Sequence, residues 1–396
     1  MITLQLDMYQ SAALATVIFL LGTFLVKKFP VFNKYCIPAP VVGGLVFAIV
    51  HLILRVSGVI TFTFDTTVQD ICMTLFFTSV GFTACFGLLK KGGVQVLLYL
   101  LLAIFMCILQ DVLGSGLASV FNLDPRLGLC VGSIPMVGGH GTSGSFGRYL
   151  EDLGVVGASS VAIAAATYGL VAGSMLGGPI ATKKIKKLNL KSSGEAFGEA
   201  AATTDNTVHG LDVAKLTSGA VYLLIAIGLG TIVAKVLSKT GLTFPSYIGA
   251  MITAAIIRNI MDAGKKDMPG PEIDAIGNVG LTIFLSMALM NLKLWELADL
   301  ALPMAVILIA QTLLMAIFAT FIVFNVMGRD YESACMTTAF CGFGMGATPN
   351  AMANMQAVAK EYGPAPRAFF VVPLVGSLFV DFFNSIIITT FINVWH

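Results

Sequence analysis

The chain has 396 residues, 57% hydrophobic and 11% charged, with a net charge of +2 and a mean hydropathy of +0.90. A soluble domain carries about 25% charged residues, so this composition excludes a soluble globular protein, and the nearly balanced charge argues against a nucleic-acid partner. Seven cysteines without a CxxC pair and only four histidines leave no zinc set; the cysteines read as small buried hydrophobes.

Apolar stretches of 18 residues or more, the length of a membrane helix, recur along the chain. The first, from about Ser11 to Val26, runs into Lys27-Lys28 rather than a small-residue cleavage site, so it reads as a span and not a removable leader. The expected spans are 9–26, 37–54, 69–89, 94–120, 153–177, 216–237, 245–261, 275–295, 300–327 and 368–394. The expected fold is an all-α polytopic membrane protein with ten transmembrane helices.

Two apolar segments are left over, about 127–150 and 333–358. The first carries Gly138-Gly139-His140-Gly141-Thr142-Ser143-Gly144, the second Cys341-Gly342-Phe343-Gly344-Met345-Gly346-Ala347-Thr348-Pro349-Asn350. Two full crossings need about 40 residues, and Gly and Pro at membrane depth expose backbone groups that hydrocarbon cannot satisfy. Each segment fits two half-helices meeting at a turn, a re-entrant hairpin; the alternative is one kinked span. The charge bias favours hairpins. With the N-terminus outside and both segments re-entrant, 17 of the 23 Lys and Arg face the cytoplasm. Making either segment a full span would reverse every later loop. This arrangement puts both termini on the periplasmic side. The polar stretch 182–214, basic at its start, becomes a cytoplasmic linker whose lysines meet lipid headgroups.

The halves resemble one another at a spacing of about 205 to 208 residues. Asp70 to Thr78 aligns without gaps on Asn278 to Ser286, Gly43 on Gly249, Cys130 on Cys335, and Gly139-His140-Gly141 on Gly344-Met345-Gly346. Five spans per half, an odd number, invert the second half. The expected units are residues 1–181 and 215–396, two inverted five-helix repeats, each with a re-entrant hairpin. Inverted repeats with broken helices are the pattern of secondary transporters, whose site lies at the repeat interface.

A hairpin tip presents half-helix N-termini, whose N–H groups and positive dipole end suit a carboxylate. The expected substrate contacts are Gly138, Gly139, His140, Gly141 and Thr142 on the first tip and Gly344, Met345, Gly346, Ala347, Thr348 and Asn350 on the second. Asp381 and Asn384, one face of the last span, join them, because an intramembrane carboxylate is functional by default. His140 is open to three readings: substrate ligand, carrier of a coupled proton, or neutral imidazole holding the turn. Unwound carbonyls with Ser, Thr and Asn oxygens suit Na⁺; its candidate ligands are Thr78, Ser79, Ser133, Ser286 and Asn354. Ser and Thr on membrane helices also bond their own backbone, so Thr74, Thr78, Ser79, Thr282 and Ser286 have a purely local reading too. The residues alone reach a Na⁺- or H⁺-coupled carrier of a small anion, not an enzyme and without an organic cofactor. The rivals are a di- or tricarboxylate carrier, an anion channel and an intramembrane hydrolase. Neither tip holds the Arg or Lys that a multiply charged substrate calls for, and no HExxH or GxGD-like pair is present.

Pro38 to Gly44, Gly138 to Thr142, Met287 to Leu297, Cys341 to Met355 and Val380 to Asn384 resemble the bacterial sodium/glutamate symporters, the glutamate:Na⁺ symporter family. The likeness runs over nearly the whole chain; the linker and Ser143-Gly144-Ser145 depart from it. The resemblance implies an inner-membrane, Na⁺-coupled carrier of L-glutamate with ten spans, two opposed re-entrant loops, a homodimer and elevator-like movement.

Overall fold

The computed structural model describes residues 2–35, 37–85, 87, 93–192, 212–239, 245–296 and 300–394. Most of the linker 182–214, the end of the expected span 69–89 and Leu297 lie outside these residues.

The chain opens with strand β1 (Ile2–Leu6), paired in parallel with β2 (Ile60–Phe64). This short ribbon is the one sheet among the described residues, which are otherwise helical as expected of an all-α polytopic membrane protein. Its cause is legible in the alternating Ile-Thr-Phe-Thr-Phe of β2 and in an aromatic cluster beneath it. Phe47, His51, Phe62 and Phe64 pack together, and His51 Nε2 accepts the Phe62 N–H at 3.1 Å.

The helices are α1 (Met8–Lys28), α2 (Pro30–Lys34), α3 (Ala39–Val56), α4 (Thr67–Thr83), α5 (Gly93–Val120), α6 (Pro125–Leu129), α7 (Ser133–Met136), α8 (Gly139–Asp152) and α9 (Ala158–Leu188). There follow α10 (Val213–Ser238), α11 (Ser246–Ala263), α12 (Gly270–Met290), α13 (Ala301–Phe318), a π-helical turn Ala319–Val323, α14 (Phe324–Val326), α15 (Tyr331–Gly344), α16 (Thr348–Tyr362), α17 (Pro366–Leu378) and α18 (Val380–Val394). Among the described residues seven are long and apolar enough to cross a membrane: α1, α3, α5, α9, α10, α12 and the run from α13 through α14. The pair α17 and α18, bent by 44° at Phe379, makes an eighth. The single expected span 368–394 is therefore two helices. The span expected over 153–177 starts later and runs further, to Leu188, so helix continues past position 182, where a linker was expected.

Local chemistry sets several of the ends. Asp7 caps α1, accepting from the Tyr9 and Gln10 N–H groups while Gln10 reaches back to the Asp7 N–H. Asn189 closes α9 with φ of +48°.

The helices sort into two packed groups. In one, α1, α3, α4, α10, α11 and α12 pack on each other; in the other, α5 to α9 and α13 to α18 do so. The matched glycines serve one purpose in both halves. A Cβ on Gly43 would strike the Ile18 carbonyl of α1, and a Cβ on Gly249 the Gly230 carbonyl of α10, so each lets two helix backbones touch. The groups meet where α12 packs on α8 and where α4 packs on α17 and α18.

Candidate functional site

Both leftover segments are broken helices. In the first, Asp124 caps α6 by accepting the Arg126 N–H at 2.9 Å, the chain turns through 130–132 into α7, and it breaks again at Val137-Gly138 before α8. The first arm is thus two short helices rather than one. In the second, α15 ends at Gly344, Met345 to Ala347 are unwound, and α16 starts at Thr348 with Pro349 in its first turn, where a missing N–H costs nothing. The N-termini of α8 and α16 both begin at a break. Each therefore leaves first-turn N–H groups without intrahelical acceptors and a positive dipole end at the tip.

The two tips meet. Gly139 has φ of +59°, the left-handed region that glycine adopts freely, and a Cβ there would stand 3.1 Å from the Gly346 carbonyl oxygen. A cavity of about 300 Å³ opens at this junction, the lower end of the range of ligand pockets. Of the thirteen expected substrate residues, eight line it: Gly138, Gly139, His140, Gly141, Gly346, Ala347, Thr348 and Asp381. The opposite wall is apolar and comes from the other helix group: Phe76 of α4 with Leu281 and Leu285 of α12. Among the described residues no Arg or Lys lines the cavity. The Asp381 carboxylate, partly buried on the first turn of α18, has no hydrogen-bond or ion-pair partner among the described residues. Gly376 of α17 lies against Thr348 (3.1 Å from a built Cβ to Oγ1), so the bend at Phe379 supports the second tip and delivers Asp381 to the cavity.

The other five, Thr142, Gly344, Met345, Asn350 and Asn384, stand behind the lining. A Cβ on Gly169 of α9 would strike the Met345 carbonyl, which seats the second tip on α9. Asn350 Nδ2 donates to the Leu170 carbonyl (2.9 Å) and Ser174 Oγ (3.0 Å), and Asn354 Nδ2 to the Gly173 (3.0 Å) and Thr338 (3.2 Å) carbonyls. Both asparagines thereby staple α16 to α9. Asn350 Oδ1 is buried without a partner and keeps an acceptor free. Thr167 Oγ1 donates to its own helix at Ile163, so it accepts from His140 Nε2 at 3.0 Å. This fixes the Nε2–H tautomer and ties the first tip to α9, which favours the turn-holding reading of His140.

The Na⁺ candidates do not gather at the tip cavity. Thr78, Ser79 and Ser286 each donate to a carbonyl of their own helix, at 2.6, 2.7 and 2.8 Å, the local behaviour of hydroxyls in membrane helices. Ser133 donates its N–H (2.7 Å) and hydroxyl (2.9 Å) to Asp111 of α5. Asp111, fully buried, escaped the sequence reading although an acid inside the span 94–120 is itself a signal. Gln110, beside it, was missed too; its Nε2 donates to the Gly344 carbonyl at the end of α15 (2.8 Å), and Gln311 donates to the Gln110 carbonyl (2.8 Å). Asp70, matched to Asn278 in the sequence, pairs with Arg148 at 2.7 Å, while Asn278 is exposed.

A second cavity, of about 180 Å³, is lined by Arg148, Glu151, Asp152, Asn291 and Lys293. It lies at the far end of α8, about 14 Å along the helix from the tip at 1.5 Å per residue.

A bundle of membrane-length helices with two broken helices opposed across a buried cavity is the architecture of a membrane carrier. The chain belongs to the sodium/glutamate symporter family, whose model matches residues 4–364. It is 38% identical over 392 residues to the sodium/glutamate symporter of Escherichia coli K12, with 98% of each chain covered, and equally so to that of Shigella flexneri. To the sodium/glutamate symporter of Haemophilus influenzae it is 38% identical over 386 residues, with 95% of each covered. This is a family of transporters, not of enzymes, and several apolar helices agree with a multi-pass protein of the bacterial inner membrane.

Proposed function

We propose that this protein carries L-glutamate into the cell together with Na⁺, and that the substrate sits where the two tips meet. The observation that carries this reading is the junction of Gly139 and Gly346 on a cavity that also holds the Asp381 carboxylate. Glutamate brings two carboxylates and one ammonium. The N-terminal turns of α8 and α16 take the carboxylates, and Asp381 meets the ammonium. The absence of Arg and Lys from the described lining residues disfavours a di- or tricarboxylate, which has no ammonium to offer Asp381.

Na⁺ is the coupling ion. Each one moved inward gains about 2.3 kcal/mol per 100 mV besides its concentration gradient, so more than one is needed for voltage to drive the carriage of an anion. The full span set is ten, adding α4 and α11 to the eight, with 125–152 and 331–362 entering and leaving on one side each. Both termini then lie on the periplasmic face and the linker on the cytoplasmic one. The shared packing roles of Gly43 and Gly249 support two inverted repeats. The cavity lies on the border between the two helix groups, which supports movement of the group carrying the tips against the other, an elevator. Most of α10 faces outward, with Val221, Leu224, Ile225, Leu229 and Ile232 exposed to lipid or to the second copy of a homodimer.

Uptake of glutamate into proteoliposomes under an imposed Na⁺ gradient tests the transport reading; uptake driven by a pH gradient and indifferent to Na⁺ would sink it. Asp381→Asn is expected to lower uptake by about tenfold or more, the weight of 1.4 kcal/mol of lost ion pairing, with unchanged thermal stability. Wild-type uptake by that variant would remove Asp381 from the site.

A further inference from the structure

We infer that Asp111, Ser133 and Asn384 form a Na⁺ site behind the first tip, separate from the substrate cavity and coupled to it through Ser133. This rests on the Na⁺-coupled reading above and assigns the ion to atoms. Asp111 is a fully buried carboxylate midway along α5. A buried carboxylate has about four lone-pair positions, and only two are filled, both by Ser133, with no cationic side chain paired to it among the described residues. Removing such a charge from water without a counter-charge is costly.

A second observation points to a ligand. Asn384 is 1% exposed; its Nδ2 donates to the Ser133 carbonyl at 3.1 Å, turning the amide toward the Asp111–Ser133 pair, and its Oδ1 is buried without a partner. Asn384 and Asp111 thus both bond Ser133, and an unpartnered amide oxygen, an underfilled carboxylate and a hydroxyl joined through one residue are oxygen donors of the kind a hard cation takes. The backbone is shaped for it. Gly132 leaves Asp111 Oδ1 room, since a Cβ there would stand 2.6 Å away.

The wiring explains how ion and substrate would assist each other. The Ser133 carbonyl accepts from the Val137 and Gly138 N–H groups, at 3.1 Å each, as well as from Asn384. Ser133 thus joins the cation site directly to the first tip, and Asp381, three residues before Asn384 on α18, lines the substrate cavity. A cation on Asp111 and Asn384 fixes Ser133, and with it Gly138, in the geometry that receives the substrate carboxylate.

The test uses the purified full-length protein and two readouts: the rise in melting temperature on replacing choline by Na⁺ at constant ionic strength without substrate, and the Na⁺ concentration giving half-maximal uptake in proteoliposomes. Asp111→Asn keeps an acceptor for the Ser133 N–H and removes the charge. It is expected to abolish the Na⁺-dependent rise and to increase the half-saturating Na⁺ by about 10- to 100-fold, with the glutamate half-saturation at high Na⁺ little changed. Asn384→Ala is expected to act in the same direction and carries the test if Asp111→Asn does not fold. A purely structural role lowers stability equally in Na⁺ and choline and leaves the increment intact; that result overturns the site, as does a half-saturating Na⁺ within about twofold of wild type. A stabilisation that follows pH instead of Na⁺ overturns it in favour of a proton. Na⁺-independent uptake by the wild type would instead refute the Na⁺-coupled reading itself.

Discussion

Gly139→Ala perturbs the junction of the tips and little else. Two costs follow from the structure. At φ of +59° an L-residue meets the left-handed penalty, about 1–2 kcal/mol. The new methyl would also stand 3.1 Å from the Gly346 carbonyl oxygen, nearer than ordinary contact, and that neighbour is backbone. Both costs are relieved only if the first turn of α8 rotates away from the second tip. The tip geometry that binds substrate is then disfavoured by about 1–2 kcal/mol, and the apparent affinity for glutamate falls by about 5- to 30-fold. Gly58→Ala is the control. It has φ of +72° and nothing within 4 Å of a built Cβ, so it carries the backbone penalty without the junction. The assay is the concentration dependence of glutamate uptake in proteoliposomes, with melting temperatures measured on the same preparations. Both variants should lose similar stability, and Gly139→Ala alone should raise the half-saturating glutamate. Unchanged half-saturation in Gly139→Ala, or an equal change in Gly58→Ala, would refute the placement of substrate at the junction.

On the turn-holding reading of His140, with its Nε2–H donating to Thr167, His140→Gln should keep the pH profile of uptake between about pH 5 and 8; a lost or shifted profile would return His140 to the proton carriers. Thr167→Val, which strips that acceptor from a buried N–H, should lower stability by about 1–3 kcal/mol in thermal unfolding. Asn354→Ala removes two staples to backbone carbonyls and should cost about 1–3 kcal/mol; a shift in Na⁺ half-saturation at unchanged stability would instead return Asn354 to the ion ligands. Asp124, outside the membrane, is held below the usual carboxylate range first by its hydrogen bonds with the Arg126 side chain, which outweigh burial. A depressed pKa contributes stability above the unfolded value of about 3.9, lost as pH falls through the folded value. Asp124→Asn keeps the cap but loses the ion pair. It should cost about 0.5–1 kcal/mol at pH 7, discounted for partial exposure, and the difference should vanish in strong acid.

Hydropathy alone determined that the chain lives in a membrane, because apolar runs of that length have no other solvent. The sequence likewise marked the second break and came within a few residues of the first. The first helix breaks at Val137-Gly138, where the glycine-rich stretch begins, and the second at Met345 to Ala347, inside its glycine-rich stretch, since unwinding at depth requires residues that tolerate it. Asp381 was legible for the same reason that Asp111 should have been: a carboxylate in an apolar run needs an explanation. What the sequence could not decide is which polar atoms meet. Thr78, Ser79 and Ser286 stand out in a sequence as Asn354 does, yet three bond their own helix and the fourth bonds α9. Phe76, Leu281 and Leu285 look like any core residues until α4 and α12 bring them opposite the tips. Periodicity and hydropathy are properties of one segment and its solvent, so they survive reading along the chain. The pairing of Gly139 with Gly346, and of Ser133 with Asp111 and Asn384, joins segments 22 to 251 residues apart. Only tertiary packing sets the distances at which such groups act.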